Sequence, residues 1–452
     1  MLALLNRFSI LLIFPAVALA FFIAALFYYY RGNYDAPPSE AVAIQDLTPP
    51  VSTFTTLAEP PPLHDGTLVV DAAHSNGFTQ AELSAFLSTV AARGYSLDFL
   101  GELSVSRGFG GFGGFDGGGS LGASERLGLL EEKLRGADSL VVIQPDDSYS
   151  KEEADLVERF VTEKGGRLLL IADPSRDHQI NSLAERFGIT FRPDYLYNQV
   201  EYDLNYQNIY VSDFRPDELT DGLGRIALYT AGSLESFGGG LAISDANTKS
   251  TVVETIEPLY PMVKADQGGV VALADLTFMV PPQNTILDNP RLIANIADFL
   301  TTSQREFHLA DFPHFFGRQD GQVDILLGRS SLLNAGSQMK NVLSGFQLES
   351  QIQGVENLNR DTVYLGLYDD AFNVAQYLQL AGIQIDGKGD LRTLFTPAIG
   401  RDGTAVAVLH RSGQRRVLVI LGDTAEEVAG VLDRLGSGDF RDGLVGDFVG
   451  VY

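Results

Sequence analysis

Leu68-Val69-Val70-Asp71-Ala72-Ala73-His74-Ser75-Asn76-Gly77-Phe78-Thr79-Gln80-Ala81-Glu82 opens the stretch that decides the fold, which runs from Thr67 to Pro174. In it, short apolar runs alternate with amphipathic helical patterns. The runs are Leu68-Val69-Val70, Leu97 to Leu100, Leu140-Val141-Val142-Ile143 and Leu168-Leu169-Leu170-Ile171. Each is short and mostly continuous, as expected of parallel strands covered by helices on both faces. Thr79-Gln80-Ala81-Glu82 is a capping box, and the helix it opens repeats Leu83, Phe86, Leu87 and Val90 at helical spacing before Gly94 closes it. Ser150 to Glu153 repeats the device for a helix that buries Leu156, Val157, Phe160 and Val161 and stops at Gly165-Gly166. A weaker helix from Ser124 to Arg135 precedes the third run. This alternation implies right-handed crossovers and a doubly wound, flavodoxin-like α/β sheet.

Downstream, Ile180 to Phe187 reads as helix, and residues 189–263, rich in Tyr, Asp and Gly, read as a mainly β elaboration. Val270 to Leu273 is a further buried strand. It is followed by a helix with Asn289 as cap, Pro290 at its first position and Ile293, Ile296, Ala297 and Leu300 on its apolar face. The first domain therefore spans 66–303. Residues 304–452 form a second, smaller α/β domain. Its strands are expected at Val323 to Leu327, Val363 to Leu365 and Val417 to Leu421, its hairpin loop at Arg411 to Arg415, and a third capping box at Thr424 to Glu427.

Upstream, Ile10 to Tyr30 is a run of 21 residues without a charge, long enough to cross a bilayer as a helix. Residues 1–32 are accordingly expected to be a single transmembrane signal anchor, with Tyr28, Tyr29 and Tyr30 at the interface. The short basic tail before the span and the acids after it favour an inside amino terminus. Residues 33–65, broken by Pro37-Pro38, Pro49-Pro50 and Pro60-Pro61-Pro62, read as a semi-extended linker. The expected topology is single-pass in the cell membrane, with an extracytoplasmic head.

The charge balance narrows the partners. Fifty-eight acidic against 32 basic residues give a net charge of −26, which argues against nucleic acid. Cysteine is absent, so disulfides, thiolate nucleophiles and Cys-ligated metals are excluded. One insertion, Arg107 to Ser120, is a Gly/Phe repeat. It reads either as a lid carrying Phe109, Phe112 and Phe115 or as a low-complexity insertion.

Val70 to Phe78 with its helix, Ala137 to Pro145, and Gly165 to Pro174 resemble the class I glutamine-amidotransferase-like domain. More narrowly, they are similar to the uncharacterised membrane-anchored version found beside ABC transporter genes and in gliding-motility auxiliaries. The resemblance covers Gly66 to Ser303. It implies a GATase-like fold, and it departs from the enzymes at their essential residue: they carry a cysteine nucleophile on a strand-to-helix elbow, where this chain has Pro145-Asp146-Asp147.

Doubly wound folds place ligands at the carboxyl edge of the sheet. A flavodoxin-like order puts Asp71, His74, Ser75 and Asn76 opposite Asp146 and Asp147, with Asp173 and Asp275 at other strand ends. Three readings stay open. The first is a ligand site built from Asp71, His74, Asn76, Asp146, Asp173 and Asp275, which could take a divalent cation though no cofactor is required. In the second, His74 serves Ser75 in hydrolysis. In the third, these groups satisfy loops and helix caps. His64, His178, His308, His314 and His410 lack ligand spacing and read as surface or structural. The leading expectation is a non-catalytic, membrane-anchored binding or scaffolding protein, partnered by ABC transporter or envelope subunits. The alternative is an exported hydrolase with a remodelled His/Asp site.

Overall fold

The computed structural model describes residues 2–30, 61–102, 122–316, 322–385, 391–392, 400–413 and 415–438. The Gly/Phe insertion and nearly all of the proline-rich linker lie outside them. Two compact units result, 1–60 and 61–452.

The first unit contains helix α1, Leu2–Tyr30, 29 residues with Pro15 inside. Its side chains are described only from Phe14 to Tyr28, where Phe14, Phe21 and Phe22 are exposed. Among the described residues no helix is long and apolar enough to cross a membrane.

The second unit is a mixed α/β structure built on two main sheets. In the larger, β1 (Thr67–Asp71), β2 (Ser96–Leu100), β3 (Ser139–Ile143) and β4 (Arg167–Ile171) lie in the order β2-β1-β3-β4 and are all parallel. Val270–Leu273 adds a fifth parallel strand beside β4. Met262–Lys264, Gly240–Ile243 and Asp213–Phe214 then extend the edge in antiparallel fashion.

The continuous apolar runs are explained by the two faces. Leu68, Val70, Val141 and Ile143 pack on α2 (Gln80–Ala91), together with the later helix Asn289–Thr301. Val69, Leu140, Val142, Leu168 and Leu170 pack on α3 (Ala123–Gly136) and α4 (Lys151–Thr162). Successive strand residues point to opposite faces, so both must be apolar. The capping boxes at Thr79 and Ser150 form as the sequence predicts, each with reciprocal bonds to Glu82 and Glu153.

Two local expectations shift. The pattern at Ile180 to Phe187 is split into a short helix, α5 (Asn181–Ala184), and a 3-10 turn closed by Gly188 at φ 66°. Asn289 is not the cap of the next helix, α6 (Asn289–Thr301); Asp288 is. The Asn289 amide instead accepts from Ala227 N and donates to Ala227 O, serving a buried strand of the β elaboration. Short strands between Ile189 and Ser250 pair as two-stranded ribbons on that elaboration.

The smaller sheet has Glu349–Gln353, Gln322–Leu327, Asp361–Leu367 and Arg415–Gly422 parallel in that order. Ala405–Ser412 closes it antiparallel to the last strand, and the pair turns at Gly413 (φ 59°). Its faces are covered by α7 (Leu333–Gly345) and α9 (Ala425–Ser437) on one side, and by α8 (Ala375–Leu380) on the other. The segment from Arg305 to Phe316 joins the sheets. Arg305 donates to Ala137 O, and Lys164 pairs with Asp311 at 2.6 Å.

Candidate functional site

The order β2-β1-β3-β4 makes the gap between the carboxyl ends of β1 and β3 the place where the strand order reverses. Two turns face each other there. Ser75 (φ 52°), after β1, and Gln144 (φ 50°), after β3, both adopt the left-handed region that non-glycine residues seldom occupy. Side-chain and backbone bonds hold both turns. Gly77 N donates to Gln144 O, and Asp146 N and Asp147 N both donate to His74 O. The Gln144 amide clamps the backbone of the next turn, accepting from Asp173 N and donating to Asp173 O and Arg176 O.

At the centre lies His74, with no exposed surface. Its Nδ1 is 3.0 Å from Asp71 Oδ2 and 3.1 Å from Oδ1. Its Nε2 faces Glu153 Oε1 at 3.5 Å, an ion-pair distance too long for a close hydrogen bond. The Tyr149 ring stacks on the imidazole with centroids 3.8 Å apart and planes within 10°. Its hydroxyl donates to Asp71 Oδ2 at 2.7 Å. Asn76 Nδ2 donates to Ile143 O and, at 3.2 Å, to Asp71 Oδ2, so one amide ties β1 to β3. Glu153 Oε2 accepts from Ser150 N in the α4 capping box, while Oε1 takes Arg126 Nε of α3 at 3.4 Å.

Burial lowers the affinity of His74 for a proton, but the bonds and charges of Asp71 and Glu153 outweigh it and raise its pKa to about 9. Burial likewise pushes Glu153 up, and His74 together with the Ser150 bonds overcomes this, holding it at about 2. The result is a charged imidazolium between two carboxylates at neutral pH. Burial and the adjacent Asp71 carboxylate push the Tyr149 phenol well above its ordinary value, so it remains a donor.

This geometry separates the predicted site residues. Asp71, His74 and Asn76 come together. Asp146 is exposed and joins through its backbone N–H. Asp173 and Asp275 form a different buried cluster. There, Asp173 accepts from Ser175 N and Thr277 Oγ1, and Asp275 from Tyr229 N and Thr277 N. Burial and the neighbouring Asp173 raise the Asp275 pKa well above the carboxylate range. Among the described residues no group of His, Asp or Glu is arranged to hold a metal ion. Ser75 Oγ donates to Asp147 Oδ2 at 2.9 Å rather than to His74. Tyr149, Glu153, Arg126 and Gln144 were missed. Only Glu153 carried a signal, and it pointed to a helix cap.

No family model matches the chain, and no curated protein matches it. Among solved structures, the mmIFT52 N-terminal domain matches at a TM-score of 0.40 and 15% identity, over 53% of this chain and 100% of that one. The exo-β-1,4-mannosidase Op5Man5 from Opitutaceae bacterium strain TAV5 matches at 0.26 and 11%, over 54% of this chain and 37% of that one. Likenesses this loose carry no argument about fold or function.

Proposed function

We propose that the protein is a non-catalytic binding or scaffolding protein, held in the cell membrane by α1, with a GATase-like head outside the cytoplasm that serves an ABC-type transporter or envelope assembly. One observation carries the non-catalytic reading: the switch-point crevice is filled by a solvent-free His74 paired to Asp71 and Glu153 under Tyr149. A histidine that is already protonated and sealed is poorly suited to act as a general base. The hydrolase alternative is further weakened because Ser75 is committed to Asp147.

The anchor reading rests on length and sequence. Ile10 to Tyr30 is an uncharged run of 21 residues, about the number a helix needs to cross a ~30 Å hydrocarbon core.

The test uses the full chain in two arms. In cells stripped of any outer wall, the protein should stay with carbonate-washed membranes and external protease should digest the head; full protection reverses the orientation. The purified protein should show no ester or amide hydrolysis that His74→Asn removes. His74-dependent turnover would replace this reading with the hydrolase.

A further inference from the structure

A cavity lies away from that crevice, on the opposite, amino-terminal edge of the larger sheet, where the joining segment and the smaller sheet's helices meet it. It has a volume of about 430 Å³ and continues into a recess of about 180 Å³ through the shared residues Thr67, Gly136, His314 and Phe346. Cavities of this size between packed layers are where small ligands bind.

Its walls define the chemistry. Lys133 and Arg135 are balanced by Asp98 and Glu132, and Lys133 Nζ already holds both Asp98 oxygens at 2.8 and 2.9 Å. Desolvation and the Arg135 charge keep His314 below its ordinary pKa, so it adds no charge at neutral pH. With Asp65 and Asp138 of the recess the lining is net negative, which repels a phosphate; Asp98 and Asp138 are already engaged by Lys133 and by Thr67 N, and among the described residues no group of acids is arranged to hold a metal ion. One aromatic face is available: Phe346 is 40% exposed and meets the His314 ring edge-on at 6.3 Å. The recess adds Asp65, Asp138 and Ser96, further partners for hydroxyls, and offers little apolar surface for a lipid chain. Bare backbone at Gly136 makes the neck, since a Cβ there would lie 2.7 Å from His314 Nδ1.

We propose that this cleft binds a neutral polyhydroxylated ligand one or two sugar rings long, with an apolar ring face on Phe346 and hydroxyls on the paired acids and bases. Sugars combine these needs, because their C–H face packs on an aromatic ring while their hydroxyls both donate and accept. The site is independent of the anchor and of the sealed crevice, so it stands or falls separately from the reading above.

Gly436 supplies a clean test. It lies on α9 at the cleft, and a Cβ there meets nothing closer than Val342 at 3.6 Å. Gly436→Trp should therefore fill the cleft, while replacing a helix glycine favours folding. Binding of glucose, mannose, N-acetylglucosamine and their β-1,4-linked dimers to the full chain in detergent would be followed by saturation-transfer NMR and calorimetry. At least one should bind at about 1 mM or tighter, and Gly436→Trp should weaken it by about tenfold or more without lowering the melting temperature. Phe346→Ala should weaken the same probe. Silence across the panel, or binding that Gly436→Trp leaves within about twofold, overturns the proposal.

Discussion

His74 is the residue at which position and environment part company. Its place just after the first strand was legible, since an apolar run followed by a polar turn marks a strand's carboxyl end. Its burial was not. A histidine in a loop ordinarily makes few buried contacts, yet the groups that enclose this one come from remote parts of the chain. Tyr149 reaches Asp71 across 78 positions, and Arg126 reaches Glu153 across 27. No local pattern encodes such closure. The network predicts a definite pH window. The raised pKa of His74 contributes stability fully present below its unfolded value of 6.5 and lost as pH rises through about 9. The depressed pKa of Glu153 contributes stability fully present above 4.5 and lost as pH falls through about 2. The stability difference between the wild-type chain and His74→Gln should therefore hold steady from pH 4.5 to 6.5 and shrink toward pH 9, as followed by thermal melts. A difference that rises as pH approaches 6.5 and stays flat above it would show that His74 is neutral in the fold.

At the scale of elements, capping boxes and apolar runs were the most readable features, because both depend on residues within one helical turn or one strand. Three boxes were predicted, and Thr79, Ser150 and Thr424 all form them. The same signature conceals different duties. Glu427 caps α9 at the surface, whereas Glu153 caps α4 and also faces His74 and Arg126 from full burial. Glu427→Ala should cost about 0.5–1 kcal/mol, as an exposed cap does. Glu153→Ala should cost about 3 kcal/mol or more, since it removes one of the two carboxylates that hold a buried cation and leaves its Nε2 side without a counter-charge. Urea unfolding of the two variants checks this, and equal losses would mean that the ion pair adds nothing beyond the cap. Asn289 illustrates the reverse failure. Its side chain looked like a cap, but it satisfies the backbone of Ala227, a partner 62 positions away that no helix-start signal could reveal.

For the whole molecule, the alternating core of five parallel strands was legible because buried strands leave continuous apolar runs. The β elaboration was legible only as a class, since its ribbons are paired by backbone bonds between weakly patterned segments. The parallel strands follow the order 2-1-3-4 in both sheets, and an ion pair lies at each reversal point: buried His74 with Asp71 and Glu153 in the larger, part-exposed Arg329 with Asp370 in the smaller. The crevice of the larger sheet is thus filled by the chain's own side chains, which supports the proposed non-catalytic reading. The measurement that tests this most directly is the global unfolding free energy of His74→Ala in the full chain, followed in urea by far-ultraviolet circular dichroism because the chain has no Trp. Removing the cation leaves Asp71 and Glu153 buried without it, and the loss should be about 3–5 kcal/mol in one cooperative transition. A loss under about 0.5 kcal/mol, the range of ordinary surface substitutions, would contradict the sealed crevice and return His74 to the list of accessible site residues.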